Sequence, residues 1–266
     1  MTAILAKLFK EAGDDEIRQV CYLSLGRLGP LYESLDFNLA GKLMMRVLAR
    51  AYNVSEENVK KEFGKLGDLG NVAEKLALNP QPSTLNPRLT VNNVFDRLYE
   101  IARREGAGSV EQKIVWLVEL LQLSDSLSSK YIVRIPLGNM RLGFSDKTLI
   151  EALSWMETGD KGLKKEIETV YHVYPDIGEI ADRIKEKGIK GLKGIKTKIG
   201  APVLSARCQR VEGPEEMLEK MGGKLVAEPK FDGERVQLHI DRESRGKREE
   251  QGGISAGGNG ETGVYD

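Results

Sequence analysis

DLGNVAEKL (residues 68–76) and DIGEIADRI (residues 176–184) match nearly position by position in residue class. Each opens on an aspartate, carries a glycine two places on, and then sets apolar residues at helical spacing. An aspartate ahead of such a run is an N-cap, whose carboxylate accepts amides of the first turn that have no helical partner. Both stretches therefore predict a capped helix. Related blocks precede them in the same order. YLSLGRLG (22–29) precedes the first copy, and YIVRIPLG (131–138), followed by Arg141-Leu142-Gly143, precedes the second. Lys42 in FNLAGKLMMRVLA and Lys147 in FSDKTLIEALS fall at similar places between them. Copies more than a hundred residues apart are not a solenoid repeat. They predict a mainly α fold: a helical domain with pseudo-twofold symmetry, one half near 1–78 and the other near 125–187. Convergent helix-start chemistry is the alternative, and the shared order of several blocks argues against it.

The region between the halves reads as helix too. Thr90 is placed to cap a helix through Val94, Leu98 and Ile101 that stops near Gly106. Ser109 opens the next, and Ser109-Val-Glu-Gln112 fits a capping box. Ile114, Leu117, Leu120 and Leu121 follow at helical spacing and predict a buried stripe, with Trp116 at its edge. NPQPSTLNP (79–87), with three prolines, is a loop. Two segments have the chemistry to meet phosphate. Gly106, Gly108 and Ser109 place small residues and a hydroxyl at a helix N-terminus, where backbone N–H groups favour an anion. Gly138, Arg141 and Gly143 bring an arginine between glycines, which permits close backbone approach. Taken alone, helix punctuation is the stronger reading of the first segment, and a loop between packed helices that of the second.

Composition sets the outer limits. Forty basic and forty acidic residues among 266 cancel, so any nucleic-acid face must come from local clustering. Cys21 and Cys208 are far apart and form no metal-ligand spacing, which fits reduced thiols in an intracellular protein. The N-terminus lacks the apolar core of a signal peptide. No apolar run approaches the ~20 residues that span a bilayer, so no membrane role is expected. Residues 183–200 hold seven basic residues and one acidic one, interrupted by Gly188, Gly191 and Gly194. They read as a flexible basic linker, 188–200 in the narrow sense, with phosphate attraction and plain solvation equally open. Residues 214–222 predict a short helix, Pro214 in its first turn and Gly222 at its stop.

KLVAEPKFDGERVQLHI (224–240) has a different period. Leu225 and Ala227 alternate with Val226 and Glu228, and Val236, Leu238 and Ile240 alternate with Arg235, Gln237 and His239. This predicts two half-buried strands around a Phe231-Asp232-Gly233 turn, with Lys230 at the turn. A lysine so placed, among Glu228, Asp232 and Arg235, is a candidate nucleophile. A free lysine has a pKa near ~10.4, which leaves roughly one amine in a few thousand uncharged at neutral pH. Desolvation or a nearby cation, such as Arg235 or a metal ion, can recover that cost.

Glu-Pro-Lys-Phe-Asp-Gly-Glu-Arg (228–235) resembles motif I, K-x-D-G-x-R, of ATP-dependent DNA ligases of the archaeal and eukaryotic type. DLGNVAEKL, LTVNNVFDRLYEIARREGAGS and KYIVRIPLGNMRLGFSDKTLIEALS resemble the helical DNA-binding domain of the same family, and the resemblance covers roughly residues 1–240. It implies that Lys230 attacks the α-phosphate of ATP and carries AMP. It implies that Glu228 contacts adenine, that Arg235 contacts the nucleotide, and that Asp232 and Gly233 shape the pocket. It places Gly106, Gly108, Ser109, Gly138, Arg141 and Gly143 near the backbone of nicked or duplex DNA. The implied cofactors are ATP and Mg²⁺, and the expected protein is an intracellular, cytoplasmic monomer.

Residues 1–187 are then the helical DNA-binding domain, and 201–240 an α+β start of the adenylation domain. Residues 241–266, charged and glycine-rich, read as a disordered tail. The resemblance ends at Ile240. Further nucleotide-binding motifs of the family are not found beyond it, so the expectation is a catalytically incomplete ligase. The alternatives are a noncatalytic DNA-binding module derived from one and a protein-interaction scaffold.

Overall fold

The structure is a computed structural model that describes residues 1–33, 35–78, 89–205, 210–226, 229, 232–233 and 236–240. Met1–Tyr171 with Asp176–Gly194 forms one unit, and His172–Pro175 with the residues from Ile195 onward forms a second.

Among the described residues the regular structure of the first unit is entirely helical. Its helices are α1 (Thr2–Glu11), α2 (Ile17–Ser24), α3 (Gly41–Ala51), α4 (Glu56–Leu66), α5 (Leu69–Ala77), α6 (Val91–Arg103), α7 (Ser109–Gln122), α8 (Ser126–Arg134), α9 (Asp146–Thr158), α10 (Lys164–Val173) and α11 (Ile177–Lys187). The two copies of the repeat are α5 and α11. Asp68 accepts the Asn71 amide at 2.8 Å and Asp176 the Glu179 amide at 2.9 Å, the cap chemistry the sequence predicts. The matched lysines also coincide: Lys42 and Lys147 are each the second residue of a helix, α3 and α9. Four positions before them, Asn38 and Gly143 both hold left-handed backbone, with φ of 52° and 69°. Helices α1–α5 thus correspond to α7–α11, with α6 between.

The halves do not fold side by side. α5 of the first half packs on α8 of the second, and α11 of the second on α2 of the first. Likewise α1 packs on α9, and α7 on α3. Each lobe joins the leading helices of one half to the closing helices of the other. One core gathers Met44, Leu48, Val72, Ile114, Leu117, Leu120, Leu121, Ile132 and Val133 from α3, α5, α7 and α8. The other lobe buries Phe9, Ile17, Cys21, Leu149, Ile150, Leu153, Ile167 and Ile180. Each such side chain contributes about 1.5–3 kcal/mol, and every core takes side chains from both halves, so neither half can bury its own apolar face. α6 joins the two: Leu98 and Ile101 lie in the first core, while Phe95 stacks on Tyr22 of α2, ring centroids 6.3 Å apart.

The two repeat glycines are contact points. A β-carbon on Gly70 would lie 2.7 Å from the Lys130 carbonyl of α8, and one on Gly178 would lie 2.7 Å from Tyr22 Oη of α2. The glycine two places after the capping aspartate lets each helix approach its partner closely. Tyr22 also hydrogen-bonds Asp176, so the second cap doubles as an inter-half contact.

Most expected element boundaries are observed. Thr90 caps α6 in a capping box completed by Asn93, and Trp116 lies half-buried against its core. At Ser109 the structure differs. Gly108, left-handed at φ 78°, is the cap residue, Ser109 is the first helical residue, and no side chain caps α7. The Asn79–Pro87 loop lies outside the described residues. The basic stretch after α11 begins as a 3-10 turn, Gly188–Leu192, with Leu192 buried.

Among the described residues from Ile195 onward there is one short helix, α12 (Pro214–Lys220), which has Pro214 in its first turn and is closed by left-handed Gly222. The expected strands are not formed among the described residues of 224–240. Val226, Val236, Leu238 and Ile240 are 87%, 61%, 69% and 58% exposed. The alternation is nevertheless used. Gln237 bonds both the amide (2.9 Å) and the carbonyl (2.7 Å) of Val203, and His239 accepts the Gly200 amide at 3.3 Å. Polar side chains, not a backbone ladder, hold this segment. The apolar face is open because an alternating pattern is buried only where another layer lies on it.

Carboxylates give the helical unit an acid-sensitive side. Glu62 is pushed down to about 2 by hydrogen bonds from Lys65 and Lys75, at 2.7 and 2.6 Å. Folded Glu62 therefore binds a proton more weakly than the unfolded chain does. Its contribution is complete above the ordinary carboxylate range of ~4 and is lost as pH falls toward 2. The urea midpoint is expected to drop below about pH 4 in the wild type, and less steeply in Glu62→Gln. Identical acid limbs in the two proteins would show that this pair contributes nothing.

Candidate functional site

The two glycine segments form exposed loops at helix junctions. Gly106 and Gly108, at φ 91° and 78°, turn the chain from α6 into α7. Gly138, Arg141 and Gly143, at φ 62°, 55° and 69°, turn it between α8 and α9. A β-carbon at any of these four glycines would meet no atom within 4 Å. Packing does not require glycine here, but positive φ does. The consequence is backbone open to a ligand. Gly106, Gly108, Gly138, Arg141 and Gly143 are exposed, and Ser109 is half-exposed.

The first loop is braced by cations. Arg103 lies over the Tyr99 ring at 5.6 Å, and Arg104 over Trp116 at 6.0 Å. Lys113, buried at 4% exposure, donates to the Phe37 carbonyl at 3.0 Å and to Ala102 at 3.4 Å. The Ala102 carbonyl belongs to the last turn of α6, where a cation also meets the negative end of the helix dipole. Lys113 therefore joins the end of α6, the start of α7 and the Phe37–Asn38 turn. Sequence reasoning passed over it, although Lys113, Leu117 and Leu121 recur every four residues and place the lysine on the buried face.

The second loop is tied to α5. Arg134, 7% exposed, donates to Asp68 at 3.1 and 3.0 Å, to Asn71 Oδ1 at 3.2 Å and to the Met140 carbonyl at 3.3 Å. Arg141 Nε lies 3.2 Å from the other Asp68 oxygen, and its Nη2 donates to the Gly67 carbonyl at 3.3 Å. Burial opposes ionisation of Asp68, but the Asn71 amide and the two arginines hold its carboxyl below the usual range. From the other side, Met140 lies against Gly26 of the first half and leaves no room for a β-carbon there. In the other lobe Arg27 pairs with Asp146 at the start of α9. Lys42 and Lys147 are exposed and have no charged partner among the described residues.

The nucleotide-binding candidates are divided. Asp232 and Gly233 are exposed, Gly233 at φ 154°. Glu228, Lys230 and Arg235 lie outside the described residues. Among the described residues no group of three or more His, Cys, Asp or Glu side chains is arranged to hold a metal ion. No described helix is long and apolar enough to cross a membrane.

Among the described residues this internally duplicated domain is helical, and it leaves glycine-turned backbone and two lysines without a charged partner on its surface. Residues 1–154, more than half of the chain, match the family model described as DNA ligase N terminus, and the chain belongs to that family. It is 44% identical over 228 residues to "DNA ligase 1" of Methanosarcina barkeri, covering 86% of this chain and 41% of that one. It is 38% identical over 248 residues to "DNA ligase" of Sulfolobus acidocaldarius, covering 90% and 42%. With "Probable DNA ligase" of Persephonella marina the identity is 38% over 241 residues, covering 90% and 41%. The chain spans about two fifths of the length of these curated relatives.

Proposed function

We propose that the helical unit grips nicked duplex DNA and that the chain belongs to an ATP-dependent nick-sealing enzyme in which Lys230 carries AMP. The observation that carries this is the pair of exposed glycine loops, 106–109 and 138–143, on a duplicated helical unit of a DNA ligase family. A duplex presents two antiparallel phosphate strands, and the matched Lys42 and Lys147 of the two halves offer a cation to each. Backbone amides and the exposed Lys42 and Lys147 would meet phosphate, which positions DNA without reading sequence.

In the adenylation step the Lys230 amine attacks the α-phosphorus of ATP, forming a P–N bond as the bond to pyrophosphate breaks and the amine proton leaves. Glu228, Asp232, Gly233 and Arg235 would shape the nucleotide site. AMP then passes to the DNA 5′-phosphate, and the 3′-hydroxyl displaces it to close the nick. ATP and Mg²⁺ are the proposed cofactors, and the proposed setting is intracellular, as a monomer. The exposure of Val226, Val236, Leu238 and Ile240 favours a second reading, in which this polypeptide holds DNA without completing adenylation.

Titrating nicked, intact and single-stranded DNA at several salt concentrations tests the grip. Binding to nicked duplex is expected to weaken with salt, with a log–log slope of roughly 0.9 per phosphate neutralised. Absence of binding at low salt would sink the DNA-gripping reading.

A further inference from the structure

Arg141 looks, from its sequence, like a phosphate contact, yet its guanidinium is already engaged. Nε faces Asp68 Oδ2 at 3.2 Å and Nη2 reaches the Gly67 carbonyl at 3.3 Å. Asp68 is 5% exposed, caps α5, and holds Arg134 with its other oxygen. Arg134 in turn grips the Met140 carbonyl, next to Arg141. The residue with left-handed backbone, Arg141 at φ 55°, is therefore fastened at its side chain and at the carbonyl before it. A non-glycine residue in that conformation costs free energy and persists where its surroundings enforce it. Asp68 and its two arginines enforce it here. Met140 presses the same loop onto Gly26 of the other half.

We infer that Arg141 and Asp68 form a latch that sets how the Gly138–Gly143 backbone is presented to DNA. Arg141 is a positioning residue that acts through Asp68, and the loop's amides and glycines make the contact. The latch rests on the DNA-gripping function proposed above. It also explains why an arginine stands at a left-handed position between two glycines: a glycine there would turn equally well but would leave the loop untied.

The test is salt-dependent binding of the full 266-residue chain to nicked duplex. Wild type is measured first, and failure of the wild type to bind overturns the DNA-gripping function and the latch together. If wild type binds, Arg141→Ala separates the two roles. A latch predicts affinity lower by about tenfold, the loss of one charge-assisted tie, with an unchanged salt slope. A phosphate contact predicts a slope flatter by about one, which overturns the latch alone. Arg141→Lys adds a second readout. A point charge serves phosphate nearly as well, but a lysine cannot span both Asp68 and Gly67, so the latch predicts no rescue and full rescue overturns it. Asp68→Asn, where it folds, should weaken binding without adding to Arg141→Ala. Tighter binding on removing that carboxylate overturns the latch. The side chain of Arg141 is 48% exposed, so its own variants stay folded and the slope decides alone.

Discussion

Gly70→Ala and Gly178→Ala are each expected to destabilise the helical unit by about 3 kcal/mol, the upper end of overpacking a fitted contact. The sign runs against intrinsic propensity, since alanine in an exposed helix is better than glycine by about 1 kcal/mol. Gly70 lies where α5 meets α8, and an added methyl would fall 2.7 Å from the Lys130 carbonyl and 2.8 Å from the Arg134 side chain. Backbone cannot step aside, and displacing Arg134 strips a buried charge from Asp68. At Gly178 the methyl would lie 2.5 Å from Tyr22 Cζ and 2.8 Å from Arg18 Cγ. Tyr22 is held by Asp176, and Arg18 by Glu179 and Asp182, so moving either breaks polar contacts between the halves. Gly64 in α4 supplies the control, because a methyl there meets nothing within 4 Å. Gly64→Ala should stabilise the chain by roughly 0.5–1 kcal/mol. Urea unfolding of the three variants reads all of this at once. Wild-type stability in Gly70→Ala would mean that the halves do not interlock as described.

The repeat that made this architecture legible also shows where reading stops. Two aspartate-capped stretches announce two halves, because capping is local chemistry and local chemistry survives in a sequence. Ile114, Leu117, Leu120 and Leu121 were readable for the same reason: helical spacing alone puts them on one face, and all four are buried. The exchange of partners between halves was not legible. Self-similarity says that α5 and α11 are equivalent, but not that α5 takes α8 and α11 takes α2. That choice depends on which apolar faces fit, a property of pairs far apart in the chain.

The site divides along the same line. Glycines needing positive φ at 106, 108, 138 and 143 were found because glycine marks such backbone, and all four adopt it on the surface. The partner of Arg141 was hidden, since nothing near residue 141 points to Asp68. Ser109 was misassigned because a hydroxyl ahead of a helix resembles a cap, whereas left-handed Gly108 already holds that position. Between 224 and 240 the period was right in one sense, as Gln237 and His239 do share a face. Periodicity names the faces of a strand but cannot supply the neighbour that turns it into sheet.

Lys230→Ala is expected to abolish AMP attachment completely while leaving affinity for nicked DNA within about twofold of wild type, the scatter expected of a substitution that removes no proposed DNA contact. The reason is chemical first. Only an uncharged amine attacks phosphorus, and alanine offers none, so the loss is total where the loss of a binding residue would be partial. The DNA arm follows from the sequence, since the proposed contacts fall within 106–143 and the motif lysine within the proposed adenylation segment 201–240. Intact-protein mass after incubation with ATP and Mg²⁺ gives the first readout, and the salt titration gives the second. One AMP on the wild type and none on the variant supports the lysine nucleophile. An adduct that survives in Lys230→Ala places the nucleophile elsewhere and removes the motif reading. No adduct on either protein, with nicked DNA still bound, favours the second reading, with which the exposure of Val226, Val236, Leu238 and Ile240 agrees. An amine without walls around it stays solvated and protonated, and roughly one molecule in a few thousand would be competent at neutral pH.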